Sequence, residues 1–140
     1  MITQTIEQVA VVRAYIRVCV VLKGIRSFMS IKQTSVRVTR WHGSQHPTFS
    51  TITREMKKEG LRPYMWANTP NHRYGVRSHG YDKVLYVVEG MVEITLPDSN
   101  QRMNLRAGDR VDIPAGVRHG TIVGSNGAKC VEAAVARQAN

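Results

Sequence analysis

The strongest constraint on the fold is a succession of short β-type stretches in residues 61–136, each ended by turn residues. The segments TPN, PDSN, AGD, PAGVR and GSNGA supply turns, and Gly90 interrupts one long apolar run. With an alternating stretch at residues 35–41 upstream, the predicted strands cover residues 61–68, 73–79, 83–89, 91–96, 102–105, 110–113, 119–123 and 129–136. About eight closely spaced strands predict a sandwich or a closed antiparallel barrel.

One amphipathic helix is predicted ahead of these strands, in the segment HPTFSTITREMKKEG. Pro47 suits the first helical position. The hydrophobic residues Phe49, Ile52 and Met56 are spaced by three and four positions, as on one helix face, and Gly60 supplies the stop.

The length of 140 residues fits one domain with a single hydrophobic core. Cys19 and Cys130 are the two cysteines and form no CxxC pair, which favours a reducing compartment. The apolar stretch from Val9 to Leu22 is short for a membrane-spanning helix and is interrupted by two arginines. No signal peptide is evident, so the expected location is cytoplasmic, with no membrane partner.

The formal net charge of +10 is concentrated near the beginning of the chain, where residues 1–41 carry seven Lys and Arg against one Glu. The rest of the chain is only modestly basic, so a nucleic-acid partner is not expected. Residues 1–30 differ in composition from the remainder of the chain and are interpreted as an N-terminal extension of unclear role. They could form an added edge strand or helix, or they could be an upstream translated extension of a main domain that begins near Met29. Residues 31–140 are predicted to form the main domain.

A turn motif with a characteristic spacing occupies residues 108–119, GDRVDIPAGVRH. Gly108 allows a tight turn, Pro114 fixes a bend, and Gly116 permits a positive φ before the chain re-enters a strand at His119. This segment resembles the second motif of the cupins, small β-barrels of jelly-roll type. The resemblance implies a cupin-type antiparallel jelly-roll barrel in which His119 would be a metal ligand.

The first cupin motif would then fall on YGVRSHGYDKVLYVVEG, residues 74–90. With Gly90 as the anchor, the positions of the family's two histidines and its glutamate are Arg77, His79 and Lys83. The frame DKVLYVVEG is cupin-like, whereas one of the three ligands of this motif is present. The resemblance spans roughly residues 60–135, and it also implies a homodimer.

A metal site is therefore open to question. His79 and His119 are the candidate metal ligands for iron, manganese, nickel or zinc, and His72 could replace a missing one. Two imidazoles are fewer than the three protein ligands that a catalytic site normally takes. Lys83 would also repel a divalent ion, since at about 5 Å and an effective dielectric of 20 each pair of unit charges costs roughly 3 kcal/mol.

The same positions suit an anion. Arg77 and His79 are expected on one strand face, Lys83 on the next strand, and His119 on the opposite side of the barrel. The guanidinium of Arg77 can bind a carboxylate or phosphate with two hydrogen bonds, and Lys83 adds a point charge. The predicted function is binding of a small polar or anionic ligand by Arg77, His79, Lys83 and His119, without a full metal site.

The sequence is also compatible with other functions and other roles for these residues. The chain could be a metal-dependent oxygenase or isomerase that uses His79 and His119. Arg77 could instead be paired with a carboxylate from elsewhere in the chain, and Lys83 could act as a base or an imine-forming amine. The basic N-terminal arm could contact an acidic partner. Neither a GxSxG motif nor a phosphate-binding loop is present to support hydrolase or nucleotide-binding classes.

Overall fold

The computed structural model describes residues 17–22, 25–30 and 35–135, and the chain divides into two units, Met1–Thr34 and Ser35–Asn140. In the first unit, β1 (Arg17–Leu22) pairs antiparallel with β2 (Ile25–Ser30). The extension predicted over residues 1–30 therefore contains an antiparallel pair of strands. Residues 1–16 of that prediction lie outside the described residues, and the role of the extension stays a prediction.

The second unit contains one α-helix and seven strands among its described residues. The helix α1 (Phe49–Lys58) follows a short strand, β3 (Arg37–Thr39). The other strands are β4 (Tyr64–Asn68), β5 (Arg73–Arg77), β6 (Asp82–Leu96), β7 (Gln101–Arg106), β8 (Arg110–Ile113) and β9 (His119–Val135). A single 3₁₀ turn, Pro97–Ser99, connects β6 to β7.

All the strand pairs in this unit are antiparallel, as predicted from the turn residues. One path of neighbouring strands runs β3, β8, β6, β9 and β4, while β7 pairs with β6 and β5 pairs with β9. The strands form two layers. The first layer contains β3, β8 and β4 together with the first half of β6 and the last part of β9. The far end of β6 and the start of β9 form the second layer with β7 and β5.

Strands β6 and β9 are each continuous, which corrects the prediction of a break at Gly90 and a turn at GSNGA. The β6–β9 register shifts on either side of Gly90, so the glycine marks a bulge at the bend between the layers. Gly90 has φ 76°, and a Cβ there would lie 2.0 Å from the carbonyl oxygen of Gly127. Positive-φ glycines therefore bend these strands and do not end them.

The amphipathic helix is confirmed, with its start displaced from the prediction. Thr48 is the N-cap, and its Oγ1 accepts a hydrogen bond from the backbone N–H of Thr51 at 3.2 Å. Pro47 therefore precedes the cap and does not occupy the first helical position. Gly60, with φ 78°, donates its N–H to the carbonyl of Lys57 and ends the helix as predicted.

Two hydrophobic clusters stabilise the unit. The larger lies between the two layers and contains Leu85, Ile94, Leu105 and Ile113 among its buried residues. The smaller packs Ile52 and Met56 of α1 against Val84, Val131 and neighbouring side chains of β6 and β9. The helix thus covers the outer face of one layer, and the inner faces enclose the barrel. Among the described residues, no helix has the length and apolar character needed to cross a membrane.

Candidate functional site

The barrel of the second unit contains a cavity of about 200 Å³ that is partly open to solvent. Its lining comes from five strands, β4, β5, β6, β8 and β9, which belong to both layers. Pairs of residues two apart on one strand, such as Tyr64 with Trp66 and His119 with Thr121, both line it because their side chains share one face of the strand. Predicted site residues that line this cavity can contact the same ligand.

The cavity has two walls of different chemistry. Leu85, Ile94 and Ile113 form an aliphatic wall, and each of them is buried in the larger core cluster. The aromatic wall is formed by Tyr64, Trp66 and Tyr74, and the rings of Trp66 and Tyr74 meet edge to face at a centroid distance of 5.8 Å. The polar lining residues are Arg77, Lys83, His119, Thr121 and Glu132.

Glu132 is the acidic residue of the cavity, and the sequence analysis did not identify it. It is 7% exposed, and its carboxylate accepts hydrogen bonds from the hydroxyl of Tyr64 and from Nε1 of Trp66, the latter at 2.9 Å. Burial acts to raise the pKa of this carboxyl, but the hydrogen bonds from Tyr64 and Lys83 outweigh it and lower the pKa. Glu132 is therefore a carboxylate at neutral pH.

A signal for Glu132 was present in the sequence. It is the one acidic residue in the strand KCVEAAV, two positions after Cys130, so the two side chains share a face of β9. Cys130 is fully buried, and burial raises the pKa of its thiol to about 12. Because Glu132 lies two positions after this buried cysteine on the same strand, its side chain is expected to point into the interior of the barrel as well.

Lys83 lies in the cavity as predicted, but its charge is not free. Its Nζ is 2.9 Å from Oε2 of Glu132. The expectation of two uncompensated cations in the barrel is therefore corrected, because one carboxylate neutralises one of them. The fully formed ion pair also argues against Lys83 as an amine nucleophile, which must be uncharged to react.

Arg77 also lines the cavity, at an exposed position at the end of β5. The register between β5 and β9 shifts by one residue between Tyr74 and Arg77, and this bulge allows both side chains to line the cavity although they are three positions apart. The guanidinium carbon lies 5.3 Å from the centroid of the Tyr74 ring. Within residues 35–135, no carboxylate forms an ion pair with Arg77.

The two predicted histidines lie close together, although not where alternation along a strand would place them. Strand β5 ends at Arg77, so His79 lies in the following loop and stacks on Tyr81 at 4.9 Å. His119 is the direct cross-strand partner of Arg77 and does not project from the opposite side of the barrel. The two imidazole centroids are 5.3 Å apart.

Both imidazoles are held in the neutral form. Burial lowers the pKa of His79, and the Lys83 charge lowers it further. Burial also lowers the pKa of His119, which is 3% exposed, against the opposing effect of a 3.0 Å hydrogen bond between its Nδ1 and the carbonyl of Val117. Nε2 of His79 is buried and has no hydrogen-bond partner in the described part of the chain.

His72, the third candidate ligand, is not among the residues that line the cavity. It is exposed and contacts Tyr74 edge to face at 4.8 Å. Its backbone carbonyl accepts a hydrogen bond from the N–H of Val123. The structure thus assembles Arg77, Lys83 and His119 in the cavity wall, with His79 beside His119 and His72 outside.

The donor set does not fit the metal site that the fold family implies. In the part of the chain that the structure describes, no group of three or more His, Cys, Asp or Glu side chains could hold a metal ion. The carboxylate of Glu132 is the acidic group in the cavity lining, but it already accepts hydrogen bonds from Tyr64 and Trp66 and forms an ion pair with Lys83. Two imidazoles remain, one fewer than the usual protein ligand set of a catalytic metal.

This chain is similar over about half of its length to several solved structures. A structural-genomics protein of unknown function from Rhizobium leguminosarum is 16% identical, with 55% of this chain and 71% of that one covered and a TM-score of 0.50. A cupin-2 domain containing protein from Shewanella frigidimarina is 24% identical, with 52% and 68% covered and a TM-score of 0.46. An RmlC-like cupin from the same organism is 25% identical, with 56% and 68% covered and a TM-score of 0.48.

No family model matches the chain, and no curated protein matches it. The similarities to solved structures concern the fold alone. The prediction of an antiparallel jelly-roll barrel is confirmed.

Proposed function

We propose that the barrel cavity binds a small anionic ligand, that Arg77 provides the charge that holds it, and that no complete metal site takes part. The observation that carries the proposal is the different state of the two cations in the cavity wall. Lys83 is neutralised by Glu132, whereas Arg77 has no carboxylate partner among residues 35–135. The net formal charge facing the cavity is therefore positive.

The chemistry of Arg77 suits this role. A guanidinium stays charged at all physiological pH values, and its planar donors can bind the two oxygens of a carboxylate or phosphate together. Its exposed position allows an anion to enter, and the contact with the Tyr74 ring holds part of the side chain at the cavity. A ligand that remains partly hydrated at this point loses less solvation than one buried completely.

The histidines add hydrogen-bonding capacity without adding charge. His119 lies directly across from Arg77 on the paired strand, and His79 lies beside it. A buried polar atom without a partner costs roughly 1–3 kcal/mol, so a ligand oxygen or hydroxyl that bonded to Nε2 of His79 would remove this cost. Arg77 and the two imidazoles would then contact different parts of one ligand.

A metal-dependent enzyme that uses His79 and His119 is the second candidate. One observation favours it, namely two neutral imidazoles 5.3 Å apart, one of them with a buried nitrogen that lacks a partner in the described residues. The missing third donor and the nearby Lys83 charge count against it. The two candidates differ in a direct measurement, since the enzyme requires about one tightly bound metal ion per chain.

The test combines calorimetry with metal analysis of the same purified protein. Acetate and inorganic phosphate, titrated against a constant chloride background, should bind to the parent protein and raise its melting temperature. Arg77→Gln should abolish both effects. Arg73→Gln is the matched control, because Arg73 is also exposed on β5 and does not line the cavity.

Equal binding by the Arg77→Gln and Arg73→Gln variants would show that Arg77 is not the anion site. Absence of anion binding together with one metal ion per chain after loading would replace the proposal with the metal-dependent alternative.

A further inference from the structure

We infer that the ligand of this cavity is a carboxylate on a single aromatic ring, of the size of benzoate. This inference rests on the proposed function, because it assumes that Arg77 binds the anionic group. It goes further by assigning the remainder of the ligand from the two walls and the volume of the cavity.

The walls require an apolar body on the ligand. Leu85, Ile94 and Ile113 present buried hydrocarbon to the cavity and offer no hydrogen bond to a ligand. An inorganic anion would leave this wall uncovered. A sugar phosphate would place hydroxyl groups against it without partners, which is unfavourable.

The aromatic wall favours an aromatic body over an aliphatic one. Trp66 and Tyr74 already pack edge to face, and their ring planes differ by 66°. A third ring can extend such an arrangement with offset or edge-to-face contacts, which contribute beyond the area that they bury. The ring of Tyr74 also lies under the Arg77 guanidinium, so a carboxylate bound by Arg77 places its attached group beside the aromatic wall.

The volume limits that body to one ring. An engineered apolar cavity of about 150 Å³ is known to bind benzene. The present cavity of about 200 Å³ exceeds that volume by roughly the size of a carboxylate group. A fused two-ring acid exceeds this volume, so its second ring would have to extend towards the open end of the cavity or displace core side chains.

The first test uses the unaltered protein and a ligand series measured by calorimetry. Benzoate should bind at least about tenfold more tightly than acetate or inorganic phosphate, a difference of about 1.4 kcal/mol. Cyclohexanecarboxylate should be weaker than benzoate because it lacks the ring contacts, and 2-naphthoate should be weaker because of its size. Benzamide, a neutral molecule of the same shape, should not bind measurably, since Arg77 has no anion to hold.

The second test changes the aromatic wall. Tyr74→Leu should weaken benzoate binding about tenfold and acetate binding by a clearly smaller factor, because acetate loses only the contact between the ring and Arg77. Phe49→Leu is the matched control, because Phe49 is an exposed aromatic residue of α1 that does not line the cavity. Circular dichroism of both variants verifies that they are folded.

The outcomes separate the two levels of inference. Binding of acetate or phosphate as tight as that of benzoate would leave the anion site in place and overturn the aromatic assignment. Binding of 2-naphthoate equal to that of benzoate would overturn the single-ring limit. If none of the anions binds, the proposed function and this inference both fail.

Discussion

The ammonium of Lys83 lies 2.9 Å from a carboxylate oxygen of Glu132, and each side chain retains only 9% of its exposure. Two buried charges of opposite sign stabilise the fold only as a pair, since either one alone is left in a medium of low polarity. Tyr64 and Trp66 donate to the same carboxylate and share its stabilisation. This relationship leads to a prediction about stability.

Removing one charge of the pair should cost more than removing both. We expect Glu132→Gln to lower the free energy of unfolding by about 3–5 kcal/mol, because it leaves Lys83 buried and unpaired. Lys83→Met should cost less, since Tyr64 and Trp66 still donate to the carboxylate. The double variant should cost less than Glu132→Gln alone, and so clearly less than the sum of the two changes, in a urea titration. A strictly additive result would mean that the pair is not formed in solution.

The state of Glu132 also predicts how stability depends on pH. Its pKa is lower in the folded chain than the ordinary value of 4.5, so its contribution is complete above that value and is lost as the pH falls through the folded pKa. The difference in unfolding free energy between the parent and Glu132→Gln should therefore be constant above about pH 6 and shrink below about pH 4.5. Urea titrations at a series of pH values measure it. A difference that persists undiminished at about pH 3 would contradict the lowered pKa.

Two glycines with positive φ, one in a strand bulge and one in a turn, give a third prediction. Gly90 and Gly116 both have positive φ, but a Cβ at Gly90 would lie 2.0 Å from the carbonyl oxygen of Gly127, whereas one at Gly116 meets nothing within 4 Å. Gly116→Ala should therefore cost about 1–2 kcal/mol, from backbone strain alone. Gly90→Ala should cost at least about 1 kcal/mol more, because it adds a steric clash with the backbone. Equal losses of stability for the two variants in thermal unfolding would show that the backbone around residue 90 accommodates the added Cβ without cost.

The donor set predicts the response to metal ions. After loading with zinc or nickel and desalting, the parent chain should retain well below one ion per chain, because His79 and His119 have no third ligand among the described residues. The double change Arg77→His with Lys83→Glu supplies the missing donors and removes both cations. That variant should retain about one ion per chain by elemental analysis. Full retention by the parent would contradict the donor argument, and weak retention by both would show that the positions do not converge.

Much of the barrel could be predicted from sequence because its signals are local. The turns on either side of residues 110–113 and the glycine after α1 act within a few residues, and the strand and the helix end that they predict are both present. The breaks predicted at Gly90 and at GSNGA were wrong for a physical reason. A glycine with positive φ can occur in a bulge within a strand or in a turn between two strands. Only the pairing with a strand distant in the sequence shows which of the two structures forms.

The site was harder to predict from the sequence because it depends on the register between strands that are far apart in the chain. Arg77, Lys83 and His119 were identified from motif spacing, and the structure places them in one cavity wall. Glu132 was missed because its partners lie far away in the chain, with Tyr64 68 residues before it. The β4–β9 register brings these two residues side by side, and a motif confined to neighbouring residues contains no information about it.

The arrangement of β9 has a consequence for how the chain is made. This strand pairs with β4, β5 and β6, and it comes after all of them in the sequence. During synthesis on a ribosome the earlier strands emerge first, with their hydrogen-bonding edges still open. The barrel can close only when β9 has left the exit tunnel, so the emerging chain depends on protection from aggregation until its last strand arrives.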